Sequence, residues 1–356
     1  MACCYMLFMP LTSLMAQPLP SASSVPATEK GLFESEDMLT ITLSGKVREV
    51  MNSRSGTPKS IPLSLSYYKK DSSEVIIPVK VKTRGHFRRQ RENCVYPPLL
   101  IEFSKDENHL SSVFREQRKL KLVMPCNDDK YLIREWLVYK IYNLVTPKSF
   151  RARLVKVKLD DDRKKKESSP FYGILLEEEK QMAKRNKEII VERKLSSQQT
   201  ETDVFLNMAV FQYLIGNTDW SVPYQHNIKL LAPDSMAIPC VVPYDFDHAG
   251  IVEAPYAHPA EELQMTSVRE RRFRGYCIRD MKDYKDIIDL YNRLKKDIYS
   301  LYTQCDLLEE KYVKYTTAYL DEFYKTINNP KSLEKEFTYP CGNATGNVVI
   351  KGLKED

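Results

Sequence analysis

Five short runs between Met38 and Cys126 are rich in β-branched and aromatic residues, and several alternate apolar with polar side chains. A period of two is the signature of strands, so this part of the chain is expected to be a sheet. The runs are MLTITLSG, IPLSLSYYK, EVIIPVKVKTRG, YPPLLIEFS and RKLKLVMPC, with Gly, Pro, Asn, Ser or charges in the breaks. The period then changes. In NDDKYLIREWLVYKIYNLV, Ile133, Leu137, Ile141 and Leu144 recur on one helical face, with Asn127 or Asp128 able to cap its start and Pro147 just beyond its end. Two more strands, RARLVKVKLD and FYGILLEE, form a hairpin across the charged, solvated connection DDRKKKESSP.

From about Asp203 the chain becomes mostly helical. Val204, Met208, Phe211 and Ile215 make a stripe that ends at Gly216. A second stripe is Tyr284, Ile287, Tyr291, Leu294, Ile298 and Leu301; a third is Leu308, Tyr312, Tyr315, Tyr319 and Phe323, stopping before Asn328-Asn329-Pro330. Aromatic residues at this spacing read as core packing rather than a ligand box. No internal repeat is visible. The order of elements predicts an α+β, two-lobe arrangement with a cleft between the lobes as the place for a ligand.

The bulk numbers narrow the function classes. At 356 residues the chain can build one large domain or two lobes. Its net charge of +6, from 54 basic and 48 acidic side chains, suits an anionic ligand such as a nucleotide but does not argue for nucleic acid. The first 28 residues carry no charge, and the apolar leader ends in Leu14-Met15-Ala16. Residues 1–16 are therefore expected to be a secretory signal peptide, which predicts an exported protein: periplasmic, at the cell surface or secreted. Pro10 and Thr12-Ser13 interrupt the apolar run, so no transmembrane span is expected in the mature chain. The expected division is a linker over 17–36, a β-rich lobe over 37–199, a helical lobe over 200–345 and a tail over 346–356. Six cysteines follow the leader and none forms a CxxC pair, which argues against a structural zinc site. Most read as scattered buried thiols, and any pairing is open.

Two loops carry the chemistry: GNTDWSVPYQHNIKLL (216–231) and YDFDHAG (244–250). Acids near apolar segments are costly unless they are paired or hold a cation. Asp219 sits just past a helix end, Asn227 begins the strand-like HNIKLL, and Asp245 ends AIPCVVPYDFD. A hairpin of those strands brings Asn227 to Asp245 with Asp219 at the mouth. One carboxylate and one amide oxygen suit a hard cation such as Mg²⁺, while a separate carboxylate can accept a hydroxyl proton. Phosphoryl transfer needs that division. His226 and His248 beside Asp245 also allow a metal-dependent hydrolase, although their spacing fits no standard zinc set. On the residues alone, Arg84 and Arg134 are expected to be ion-pair partners, and RERRFRG (269–275) a solvated segment, with contact to an acidic substrate or the phosphates as the alternative.

The same residues resemble the CotH family, the spore-coat-protein-H-like atypical kinases. The resemblance rests on Asn217-Thr218-Asp219, Asn227 and Pro243-Tyr244-Asp245-Phe246-Asp247. It is supported by TRGH (83–86), by Arg134 in YLIREWLVYKIY, and by Gly173 and Glu177 in FYGILLEE. It implies a two-lobe, protein-kinase-like fold that uses ATP with Mg²⁺ or Mn²⁺. The reaction would pass the γ-phosphoryl group to a hydroxyl, in the first place a protein Ser or Thr. Asp219 would be the base, Asn227 and Asp245 the metal ligands, and Asp247 a second acidic ligand. Glu177 would mark the link where kinases receive adenine. The family has a Lys-Lys-Pro segment where this chain has CVYPPLLIEF. The phosphate contact is therefore expected from Lys121, rather than Lys119, or from Arg84. The alternative is a non-catalytic binding or structural protein on the same scaffold.

Overall fold

The computed structural model describes residues 30–104, 106–163, 169–278 and 280–339. The leader, the start of the linker and the tail lie outside them. The strand-rich part runs β1 (Leu39–Gly45), α1 (Val47–Asn52), β2 (Ile61–Tyr68), β3 (Glu74–Thr83), β4 (Leu99–Phe103), α2 (Glu107–Leu110) and β5 (Lys119–Val123). After α3 (Asp129–Val145) come β6 (Ala152–Asp161) and β7 (Phe171–Leu176). Alternation sets which face is buried. In β3, Val75, Ile77, Val79 and Val81 point inward, and Glu74, Lys80 and Lys82 line the other face. Each such apolar side chain contributes about 1.5–3 kcal/mol by leaving water.

The seven strands close into a barrel in the order β1-β2-β3-β4-β5-β7-β6, rather than forming the usual N-terminal lobe of a kinase. The expected β6–β7 hairpin is present, and it is inserted between β5 and β1. β7 pairs antiparallel with β5, Lys121 opposite Leu176, and β6 pairs parallel with β1 from Leu39↔Val155 to Gly45↔Asp161. That last pairing joins strands far apart in sequence, and local periodicity does not reveal it. Closure pairs each of these seven strands on both sides. Gly173 in β7 permits it, because a Cβ there would stand 2.8 Å from Val157 Cγ2 and 2.9 Å from Leu122 Cδ1. Leu32, from the stretch expected to be linker, is buried in the barrel core, and its carbonyl accepts from Arg153 Nη1 at 2.8 Å.

α3 starts where expected, with the Asp128 side chain accepting from Lys130 N. Ile133, Leu137 and Ile141 are buried, but Leu144 is 38% exposed. The helix is covered on nearly every side, Arg134 and Glu135 included, because it lies between the barrel strands β6 and β7 and helix α6 (Lys285–Thr303).

The remainder runs α4 (Glu179–Arg185), β8 (Ile189–Ile190), α5 (Thr202–Ile215), β9 (Ile228–Ala232) and β10 (Cys240–Pro243), then α6, α7 (Glu310–Ile327) and α8 (Pro330–Phe337). The strands form a sheet in the order β10-β9-β8. The chain is thus an α+β protein. The three helical stripes pack as a core around Tyr291, Tyr302 and Phe323, whereas Tyr315 lies at the surface over Arg269. No helix among the described residues is long and apolar enough to cross a membrane.

Two sequence readings are corrected. Most of the described cysteines are not scattered thiols: Cys94 and Cys126 form a disulfide, Cys277 is disulfide-bonded as well, and Cys240 and Cys305 are free. RERRFRG is not a solvated segment either. Arg269 pairs with Glu253 at 3.1 Å and stacks on Tyr315. Arg271 donates to the carbonyls of Tyr213, Leu214 and Tyr319 and lies 3.5 Å over the Tyr319 ring. Charged heads are satisfied here by helix-end carbonyls and aromatic faces, which sequence alone does not show.

Candidate functional site

α5 ends at Gly216, which takes the left-handed conformation at φ 67°. A Cβ there would fall 2.1 Å from the Tyr319 hydroxyl, so glycine is needed for conformation and for space. The freed chain turns at once. Asn217 Oδ1 accepts from Asp219 N at 3.0 Å and fixes the loop. The carbonyls of Gly216 and Ile215 accept from the N–H groups of Gly250 and Ile251, sewing this loop to the second acidic loop.

β9 and β10 form the expected hairpin, with Ile228 opposite Pro243. The next pair is Asn227 and Tyr244, joined by Tyr244 N to Asn227 O at 3.0 Å. β10 ends at Pro243, so Asp245 and Asp247 lie beyond the strand, Asp247 in a turn. Asn227 and Asp245 both hold positive φ, 52° and 62°. Such conformations in non-glycine residues cluster at functional sites.

The structure brings Asp219, Asn227 and Asp245 together. Asn227 Nδ2 donates to both Oδ2 and the carbonyl of Asp219, at 3.0 and 2.9 Å. Asn227 Oδ1 is left without a hydrogen-bond partner among the described residues. His226 Nε2 stands 2.8 Å from Asp219 Oδ1. Burial works against a charge on His226, but the Asp219 carboxylate outweighs it and draws the imidazole pKa upward. His226 is thus a direct partner of Asp219.

Behind this trio lies a buried charge cluster. Burial first, then Asp247, pushes the Asp245 carboxyl up, with Asp219 adding to the effect and Arg88 and Arg84 opposing it. Asp247 goes the other way: burial opposes its charge, but His248, Arg88 and the Tyr256 hydroxyl hold it down. The two carboxyls influence each other, Asp247 raising Asp245 while Asp245 helps to hold Asp247 down. The Arg88 guanidinium reaches Glu135 at 3.4 Å and Asp247 at 3.7 Å. Burial pushes Glu135 up, helped by Asp247 and Asp245 and resisted by Arg88. Arg88 and Glu135 were missed in the sequence. The available signal for Glu135 was a charge on a helix that is otherwise apolar on most sides; Arg88 had none beyond its place in an arginine-rich turn.

Lys121 and Arg84 face this acidic group from the barrel. Lys121 Nζ lies 5.1 Å from the centre of the Tyr244 ring. Burial first, then the charge of Arg84, lowers its pKa from 10.5 to about 8. Neither cation has an ion-pair partner among the described residues. Lys119, in contrast, is exposed and paired with Glu102 at 3.5 Å.

Two residues named from sequence have other work. The Glu177 carboxylate is held by Arg185 at 3.1 and 3.0 Å and by Arg151 N at 3.0 Å, and its own N–H donates to Arg151 O at 2.9 Å, so neither is free for a ligand. Arg134 donates to Val252 O, pairs with Glu253 and stacks 3.6 Å over Tyr312, so it fastens α3 to the helical part. Of the arginines in RERRFRG, Arg274 reaches the site: it donates to the carbonyls of Thr218 and Trp220 on either side of Asp219.

The donor set fits a hard cation. Asp245 and the Oδ1 of Asn227 offer a carboxylate and an amide oxygen, the donor types that a hard cation takes. No group of three His, Cys, Asp or Glu among the described residues is arranged to hold a metal. Mg²⁺ bound by one or two protein oxygens needs no such group, since water and phosphates complete its shell.

No protein-family model matches the chain, and no curated protein matches it. Among solved structures it is similar to the Helicobacter pylori proinflammatory kinase CtkA, at a TM-score of 0.37 and 11% identity, covering 82% of this chain and 98% of that one. A likeness that slight carries no argument about this chain's chemistry.

Proposed function

We propose that this protein is a CotH-like kinase with a two-lobe, protein-kinase-like organisation. In this reading the barrel and the helical part enclose ATP, and the γ-phosphoryl group passes to a hydroxyl, in the first place a protein Ser or Thr. The observation that carries the reading is the opposition of Lys121 and Arg84, cations without an ion-pair partner among the described residues, to the neighbouring Asp219, Asn227 and Asp245. An anion with its own cation neutralises both sides. Lys121 and Arg84 would hold the phosphates. Asn227 and Asp245 would hold Mg²⁺ or Mn²⁺, with Asp247 behind Asp245. When bound, the metal would neutralise charge on the phosphates. Asp219 would orient the attacking hydroxyl and accept its proton, held in place by His226 and Asn227. The adenine would lie near Glu177, beside Leu176, which pairs with Lys121. The disulfides and the uncharged leader support export to an oxidising compartment.

One observation favours a second reading, a binding protein on the same scaffold. Both Asp219 oxygens are already engaged, and Arg88 already offsets part of the acidic cluster. Thermal-shift titration with ATP, with and without Mg²⁺ or Mn²⁺, followed by phosphate transfer to a generic Ser/Thr substrate, separates the two. Metal-dependent stabilisation with transfer supports the kinase; stabilisation without transfer supports the binder; no response to nucleotide rejects both nucleotide roles.

A further inference from the structure

Lys148 and Cys240 belong to different parts of the fold and meet at their junction. Lys148 lies in the turn between α3 and β6, and Cys240 opens β10. Lys148 Nζ stands 3.1 Å from Cys240 Sγ and 2.6 Å from Glu188 Oε1. Cys240 is 5% exposed, and the Glu188 side chain is 7% exposed with its Oε2 unpartnered. The turn is fixed, because the Pro147 carbonyl accepts from Arg185 Nη1 and from Asn186 Nδ2. The Lys148 side chain remains 30% exposed, so a small oxidant can reach the amine. An ordinary ion pair accounts for the lysine and the glutamate. It does not account for a free thiol held against the amine.

We propose that Lys148 and Cys240 are a modification site that forms a covalent, reducible N–O–S bridge with dioxygen as the oxidant. One N–H bond of the neutral amine and the thiol S–H bond break. One oxygen atom becomes the bridge, with new N–O and O–S bonds, and the other leaves as water carrying the two hydrogens. Nitrogen and sulfur each give up two electrons, which together reduce the dioxygen. Glu188 takes the ammonium proton that must leave before the amine can react. An inserted oxygen spans the gap with less approach than a direct N–S bond requires. The bridge would tie the α3–β6 turn to the strand whose far end leads to Asp245.

The full chain is incubated in dioxygen-saturated buffer and, in parallel, anaerobically, then mapped by peptide mass spectrometry. The expected product joins the Lys148 and Cys240 peptides, heavier by one oxygen and lighter by two hydrogens, and is lost on treatment with dithiothreitol. Lys148→Arg and Cys240→Ser should each abolish it. Recovery of Cys240 as a thiol or as sulfinic or sulfonic acid, with the Lys148 peptide free, overturns the proposal. So does a cross-link without the added oxygen. Cys305, the other free thiol among the described residues, reports exposure: its oxidation while Cys240 stays a thiol also counts against the bridge.

Discussion

Asp219 is held from two sides by consecutive residues: His226 at its Oδ1 and Asn227 at its Oδ2, 2.8 and 3.0 Å away. Asp245 touches neither of those contacts and lies instead against Asp247 in the buried cluster. The two acids should therefore fail in different ways. Asp245→Ala should lose metal-dependent nucleotide binding and phosphate transfer together. Asp219→Asn should keep nucleotide binding and lose turnover by about 10²–10⁴-fold, the usual worth of a positioned base. Asn227→Ala should resemble Asp245→Ala but be milder. Nucleotide titration paired with a transfer assay checks this, after circular dichroism has confirmed the fold. If both Asp variants bind and turn over like the parent, these loops are only turn chemistry.

Lys121 gives a pH dependence with a definite sign. Its pKa is lowered to about 8, by burial first and then by Arg84. The cationic form predominates below that value, so nucleotide affinity should hold up to about pH 7 and weaken as pH rises through 8, by up to about tenfold per unit. In the unliganded protein the folded pKa lies below the unfolded 10.5. The unfolded chain binds more protons between about 8 and 10.5, so this group's contribution to stability rises with pH across that window. Lys121→Met should bind nucleotide more weakly and without the pH slope. Titrations at pH 6.5 to 9.5 in both proteins decide it, and an unchanged slope in the variant would move the phosphate contact away from Lys121.

Arg88 is the cation on which the buried acids depend. Its side chain is 11% exposed, and those of Glu135 and Asp247 are 2% and 7%. Arg88→Ala leaves Glu135 and Asp247 buried without that charge and should destabilise by about 3–5 kcal/mol. Arg88→Met with Glu135→Leu removes the pair and should recover a good part of the loss. Denaturant unfolding of the parent and the two variants measures both. A cost below about 1 kcal/mol for Arg88→Ala would mean that water, not Arg88, solvates the acids.

The sequence shows clearly those features that depend on neighbours a few residues away. The strands β1 to β7, the cap at Asp128, the stripe ending at Gly216 and the meeting of Asn227 with Asp245 all follow from period and turn chemistry. Features fixed by distant partners were not legible. The parallel β1–β6 pairing that closes the barrel is one, and the Arg88–Glu135 contact, 47 positions apart, is another. Short α1 and α4 escaped because six or seven residues hold too little period to detect. The arginines of RERRFRG misled because their partners are backbone carbonyls and rings, which leave no charge pattern in the sequence.

The Cys94–Cys126 disulfide anchors the end of the segment that carries Arg88, six residues before Cys94. Cys94 N donates to Gln90 O, and Val95 N donates to Cys126 O, so the bridge and two backbone bonds fix the end of that segment next to α3. The linked cysteines are 32 positions apart, and a loop of that order contributes about 3–4 kcal/mol in the chain-entropy view. Cys94→Ala with Cys126→Ala should lose about 2–4 kcal/mol of stability. The loss should overlap with that of Arg88→Ala, because a freed segment no longer presents Arg88 to Glu135 and Asp247. The triple variant should therefore be more stable than the sum of the two losses predicts. Chemical denaturation of the single, double and triple variants under non-reducing conditions gives the coupling. Strict additivity would show that the disulfide constrains the loop without positioning Arg88.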